Sequence, residues 1–223
     1  MFSISIYFQV IKGIIQNKSL CRILQILECK KYLISGNVLE FGTTPDSNNR
    51  FSSIAKKKKI KNIEYGDKNI KHKKVINIDL NKKNNFRQNY YDTILFFNIM
   101  EHLSNFVNAK KEIKKIMKKN SIMIGSTPFL YRYHNAPSDY LRFTKPYLEI
   151  FFKKDFKILN IKNLGFGPFC LSYSFLSDFT KKIPFLNILL FTIAFILDLL
   201  LSFFVRYKLE DIYPIAIFFR LKK

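Results

Sequence analysis

"VLEFGTTPDSNN", residues 38–49, is the stretch on which the fold turns. An apolar run carries the chain to Glu40 and stops at Gly42, as a strand does when it enters a tight nucleotide-binding turn. Such a turn ordinarily has a second and a third glycine. Here Thr44, Pro45 and Asp46 stand in their place. The loop reads as a cofactor loop built another way, as one that has lost its ligand, or as an ordinary strand-to-helix turn. Asp46, Ser47, Asn48 and Asn49 offer caps for a following helix, and Pro45 stiffens the turn.

Beyond this loop, short apolar runs alternate with polar or helical segments. Strands are predicted at 37–42, 62–67, 74–80, 91–98, 121–128 and 156–165, and the tail "DIYPIAIFFRLKK" reads as one more. A helix opening at Ser104 places Phe106, Ala109, Ile113, Ile116 and Met117 on one face. Another opens at Thr144, with Pro146 in its first turn, where proline is tolerated, and Leu148, Phe151 and Phe152 inside. This alternation predicts a parallel sheet covered on both faces. Four of the first five strands stop at polar groups: Glu40 with Gly42, Asp67, Asp79 and Asn98. In open parallel sheets such ends line the ligand crevice.

The first 36 residues read as helical, with Ile4, Phe8, Ile11 and Ile15 at helical spacing, a second segment capped by Ser19, and Gly36 as terminator. Residues 183–205, "IPFLNILLFTIAFILDLLLSFFV", are long enough to cross a bilayer. Asp198 near their middle argues against a span. Asn187, Asp198 and Ser202 fall within about 60° on a wheel of roughly 100° per residue, a narrow polar stripe. The segment is expected to lie in a membrane interface or against protein.

The formal charge of the 223 residues is +22, spread along a chain rich in Lys, Asn, Ile and Phe and lacking Trp. The densest runs are 55–62 and 110–120, the second with a helical period. Such a surface suits anionic lipid or phosphorylated substrates, and RNA or DNA less well, since lysine and aromatic residues are not interleaved on one stripe. Cys21, Cys29 and Cys170 have no metal-ligand spacing and read as free thiols of a reducing compartment. The N-terminus has no basic region before its apolar part, so no cleaved signal is expected and the predicted location is cytoplasmic. No residue cluster has zinc-like spacing, and no metal is predicted.

By residue 102 the pattern resembles the class I S-adenosylmethionine-dependent methyltransferases. More narrowly, it resembles the small branch associated with bacterial surface-polysaccharide synthesis. "YYDTILFFNIMEHLSNFVNAKKEIKKIMKKNSIMIGSTPF" (90–129) is similar to the family's fourth strand, Glu-His signature, helix and fifth strand. "PFLYRYHNAPSDYLRFT" (128–144) is similar to that branch's loop, with a His, a Pro, an Asp and an Arg in order. The resemblance covers roughly residues 37–168 and resumes at the last strand.

It implies a Rossmann-like, mostly parallel seven-strand sheet in a single domain, 1–223. This comprises an N-terminal helical segment (1–36), a cofactor-binding core (37–168), a hydrophobic helical insertion (169–209) and a final strand (210–223). It implies S-adenosylmethionine as cofactor, with Glu40 near the methionine amino group and Gly42 letting backbone approach. Asp67, 25 residues after Gly42, would hold the ribose hydroxyls, for which a carboxylate accepting two hydrogen bonds is suited. Asp79 and Leu80 would lie on the adenine side, and Asn98 beside the reactive methyl. His134 is the candidate base, with Asp139 orienting it or taking the proton. Tyr131 and Arg142 are the candidate acceptor contacts. Glu101 and His102 either take part or merely open a helix. The expected reaction is methylation of a hydroxyl on a sugar, polysaccharide or lipid-linked precursor, with membrane or partner-subunit contact through 183–205. The alternatives are a partner protein that kept the fold and lost the cofactor, or an RNA methyltransferase or RNA-binding module.

Overall fold

The computed structural model describes residues 2–48, 50–135 and 138–223. Asn49 of the expected cap and Pro137 of the loop motif lie outside the described residues. In chain order the first half holds α1 (Ile4–Ile15), α2 (Leu20–Cys29), β1 (Leu33–Phe41), the single turn α3 (Phe51–Ile54), β2 (Lys56–Asp67), β3 (Val75–Asn77) and β4 (Tyr91–Phe97). A 3-10 turn at Met100–His102 then precedes α4 (Phe106–Ile116), β5 (Met117–Pro128), α5 (Lys145–Lys153) and β6 (Lys157–Leu164). Helices α6 (Pro168–Thr180), α7 (Pro184–Phe204) and α8 (Leu209–Ile212) lead to β7 (Ala216–Lys222).

The seven strands form one sheet in the order β3-β2-β1-β4-β5-β7-β6. β1 is parallel to β2 and β4, β2 to β3, and β4 to β5. β7 runs against β5. Asn120 near the start of β5 donates to Lys223 O beyond the end of β7, and Phe129 past the end of β5 donates to Ile215 O before β7 begins, both at 2.9 Å. The chain leaves β1 toward β2 and β3 and then returns to β4 on its other side. That reversal opens a crevice at the strands' carboxyl ends. Val38, Leu39, Ile94, Leu95 and Ile124 are fully buried, as central parallel strands covered on both faces require.

The chain divides into two compact units. The sheet unit comprises Glu28–Thr127, His134–Lys162 and Phe218–Lys223; the helical unit comprises residues up to Leu27, Pro128–Tyr133 and Asn163–Ile217.

Within the sheet unit several boundaries differ from expectation. Gly36 ends no helix. It sits inside β1 at a register shift with φ +66, and Asp92 occupies the space a Cβ would need. Asp92 accepts from Asn37 N at 2.8 Å and is paired with Lys118, so the bulge is held by side chains far away in sequence. The cap of α4 is Asn105, whose side chain accepts from Asn108 N, and not Ser104. Met117 begins β5 directly after the helix. β3 shrinks to three residues, and Asp79 and Leu80 lie beyond it. Thr144 does cap α5, with Pro146 in the first turn and Leu148 and Phe152 buried.

In the helical unit, the α1 stripe faces outward. Ile4, Phe8 and Ile15 are exposed, while Val10, Gly13 and Ile14 are buried. α7 packs on α6 and α1. Its Asn187 accepts from Tyr173 and Thr180 hydroxyls. Asp198 is fully buried and accepts from Phe169 N at 3.0 Å and Cys170 N at 2.8 Å, capping α6 from outside the helix. Gly167 must lack a side chain, since a Cβ would lie 2.4 Å from Asp198 Oδ1. Replacing Asp198 with Ala strands two N–H groups, that of Cys170 buried and that of Phe169 partly so. Urea unfolding is expected to show a loss of about 2–3 kcal/mol, whereas an unchanged midpoint would remove Asp198 from this role.

Candidate functional site

The carboxyl ends of β1 and β2 and the segment after β3 border a cleft lined by Gly42, Asp67, Asp79 and Leu80, with Ile99 and His102 across from them. Four residues singled out in the sequence thus meet. Gly42 has φ +73, and a Cβ there would lie 2.5 Å from Ile99 Cδ1, so both backbone and space demand glycine. Its N–H donates to Gly66 O at 3.0 Å, tying the turn to the neighbouring strand. Asp67 uses Oδ1 to accept from Asn69 N and Ile70 N. Its Oδ2 makes no hydrogen bond to a described residue, which leaves an acceptor at the cleft. Asp79 is held below the usual carboxylate range: burial opposes its charge, but Lys68 at 3.1 Å and Asn81 N–H outweigh that.

Other expected residues stand elsewhere. Glu40 does not line the cleft. It is buried, and its two oxygens accept from Phe51 N at 2.6 Å and Ser52 N at 3.0 Å, so the carboxylate caps α3. Asp46 caps no helix. Thr44 O accepts from Ser47 N across a turn through Pro45 and Asp46, and Asp46 meets His72 Nε2 at 3.0 Å. His72 is therefore engaged with the rewritten loop, its Nδ1 accepting from Lys74 N. Asn98 takes φ +55 at the end of β4, with its N–H donating to Ser126 O. Tyr131 belongs to the helical unit, where Arg132 lies over its ring.

The loops after β4 and β5 build a second group. Asp139 accepts from both Arg142 Nη atoms and from His134 N at 3.0 Å. Arg142, expected to meet a substrate anion, thus spends its guanidinium fork on Asp139. That pairing, with the His134 N–H, outweighs burial and holds the Asp139 carboxyl down at about 2. Asp139 is consequently a positioning group for His134, whose Nδ1 lies 3.2 Å from Asp139 Oδ2, and a poor proton acceptor. Glu101 is fully buried, and burial pushes its carboxyl up to about 8. His102 Nδ1 lies 2.6 Å from Ser138 O, and the His102 and His134 rings meet edge to face at 5.1 Å. Sequence reading missed this gathering because 32 residues separate the two histidines; only adjacent strand ends bring them together.

The lysine runs have local uses. Lys110 and Lys114 pair with Asp155, Lys115 with Glu112, and Lys118 with Asp92. Lys56–Lys59 instead extend β2 and are exposed.

No protein-family model and no curated protein matches the chain. Solved structures do. Coclaurine N-methyltransferase bound to N-methylheliamine and SAH gives a TM-score of 0.56 at 14% identity, over 91% of this chain and 70% of that one. A putative S-adenosylmethionine-dependent methyltransferase from Listeria monocytogenes gives 0.53 at 12%, over 92% and 98%. The [4+2]-cyclase SpnF gives 0.53 at 11%, over 91% and 80%. The chain therefore has the Rossmann-like class I methyltransferase fold. Likeness at these identities carries the fold and not the reaction, as the cyclase illustrates.

Because the folded pKa of Asp139 is depressed from 3.8 to about 2, its stabilisation is complete above about pH 4 and is lost as pH falls to 2. Asp139→Asn is expected to be roughly 2 kcal/mol less stable than wild type at pH 6, with the gap closing between pH 4 and 2. A pH-independent gap would contradict the pairing.

Proposed function

We propose that the protein transfers a methyl group from S-adenosylmethionine to a hydroxyl of a saccharide or lipid-linked precursor, as expected of the surface-polysaccharide branch. The observation that carries this reading is the cleft itself. On the class I methyltransferase fold, a glycine turn with φ +73 and an acid with a spare oxygen at the next strand's end converge on an apolar wall. These residues fit the cofactor. Gly42 admits its amino-acid end close to backbone, Asp67 Oδ2 accepts from a ribose hydroxyl, and Leu80 offers an apolar surface to adenine. S-adenosylmethionine supplies an activated methyl group when bound, so the chain's task is largely positioning and desolvation. His134, oriented by Asp139, is the group suited to hold the acceptor's proton. The rewritten loop 43–48 does not decide against binding, because Asp46–His72 and the Glu40 cap leave the Gly42 turn in place.

The helical unit supports an acceptor met at a lipid surface. α7 has a mean hydropathy of 2.3 over its most apolar window, of which only 28% is buried. Phe179, Phe203 and Phe204 are 74–84% exposed. Exposed Lys181 and Lys182 precede the helix, and exposed Arg206 and Lys208 follow it. Cations at both ends of an apolar face suit a helix lying in the headgroup plane of an anionic membrane.

Calorimetric titration with S-adenosylmethionine and S-adenosylhomocysteine is expected to show micromolar binding, weakened at least tenfold by Asp67→Ala. A folded wild type that binds neither ligand would return the chain to the reading of a partner protein without cofactor. In flotation, the protein is expected to rise with phosphatidylglycerol vesicles and not with phosphatidylcholine alone. Replacing Phe179, Phe203 and Phe204 with Ser should leave it at the bottom of the gradient. Failure of the wild type to float would remove the membrane from the account.

A further inference from the structure

The loops after β4 and β5 bring three ligating side chains together beside the methyl-donor cleft. One carboxylate oxygen of Glu101 and one ring nitrogen each from His102 and His134 lie within 4.8 Å of one another. We propose that Glu101, His102 and His134 bind a divalent first-row transition-metal ion.

Glu101 gives the strongest support. Its side chain is fully buried, Oε2 accepts from Thr127 Oγ1 at 3.3 Å, and Oε1 has no hydrogen-bond partner among the described residues. A buried carboxylate oxygen left open is costly unless something cationic or protonated meets it. What faces it is His102 Nε2, at 3.8 Å, too far for a hydrogen bond. The His102 tautomer is fixed from its other side. Ser138 O can only accept, so at 2.6 Å His102 Nδ1 carries the proton, and in the neutral ring Nε2 presents a lone pair. The gap is wider than a shared proton spans, so Glu101 Oε1, with or without a proton, finds no partner in His102. A metal-ligating histidine characteristically donates its second nitrogen to a backbone carbonyl in this way. An ion with bonds of about 2.1 Å in tetrahedral geometry holds its donors about 3.4 Å apart, so the three side chains, now within 4.8 Å of one another, must close around it by roughly an ångström.

The donor set also selects the ion. Two imidazoles and one carboxylate suit manganese through zinc in the first row and disfavour calcium and magnesium, which prefer oxygen ligands. Three protein ligands leave positions for oxygens from elsewhere. His102 also lines the methyl-donor cleft, so the ion would border the space where an acceptor must lie. Resting on the methyltransferase reading, this narrows the acceptor to a molecule with two neighbouring oxygens able to chelate, a vicinal diol or a hydroxy acid. The ion and a proton would then compete for the same histidine lone pairs, making His134 a ligand whenever the ion is bound.

The test uses the full chain stripped with EDTA and titrated with Co²⁺ and Zn²⁺, by calorimetry and by visible absorption for cobalt. One equivalent at micromolar affinity is expected, with cobalt d–d bands. Glu101→Gln and His134→Ala should each weaken binding by about 100-fold. His134 is partly exposed, so its variant reports even if the buried Glu101→Gln chain does not fold. A folded wild type that takes up no stoichiometric ion overturns the site, as does one whose binding is unchanged in His134→Ala. S-adenosylhomocysteine binding, measured separately without metal, tells failure of this site from failure of the methyl-donor reading.

Discussion

The buried carboxylate of Glu40 is the constraint on which the rewritten loop depends. With no second or third glycine, nothing in 43–48 can bring backbone N–H groups around a ligand by conformational freedom alone. Glu40 instead reaches from the end of β1 to the first N–H groups of α3, giving a one-turn helix the cap its own sequence lacks. The loop is then held between two fixed points, Gly42, bonded to Gly66, and Phe51, whose ring stacks on Phe97 at 3.6 Å. The cleft stays open below it, and the side chains that face the cleft, Asp67 above all, come from strand ends rather than from the loop.

Much of this was legible in the sequence because it rests on local rules. Strands that stop at Asp67 and before Asn98, helices capped at Ser19 and Thr144, and the sheet's parallel centre follow from period and capping chemistry. The resemblance through the Glu-His signature gave the same seven-strand sheet that the topology shows. Gly36 misled because a glycine after an apolar helical run is an ordinary helix stop. Its actual use, a positive-φ bulge packed on Asp92, depends on a residue 56 positions away. Glu40 and Arg142 were read for their ligand chemistry, and spacing could not show that backbone N–H groups and Asp139 also meet them.

Long-range placement also explains what sequence spacing could not contain. Glu101 and His102 sit in a 3-10 turn after β4, and His134 follows β5. They approach because β4 and β5 are parallel neighbours, and no consecutive motif records that adjacency. The outward stripe of α1 shows the converse. Helical period identifies an apolar face without saying what covers it, and Ile4 and Phe8 remain exposed. Charge behaves likewise: lysines that read as one basic run are distributed among Asp155, Glu112 and Asp92.

The most direct test of the central claim is a crystal structure grown with saturating S-adenosylhomocysteine. The account requires ribose hydroxyls on Asp67, adenine against Leu80, and the amino-acid end beside the Gly42 turn under an intact Glu40 cap. A folded chain whose cleft remains empty, or one that holds the nucleoside away from Asp67, would contradict it.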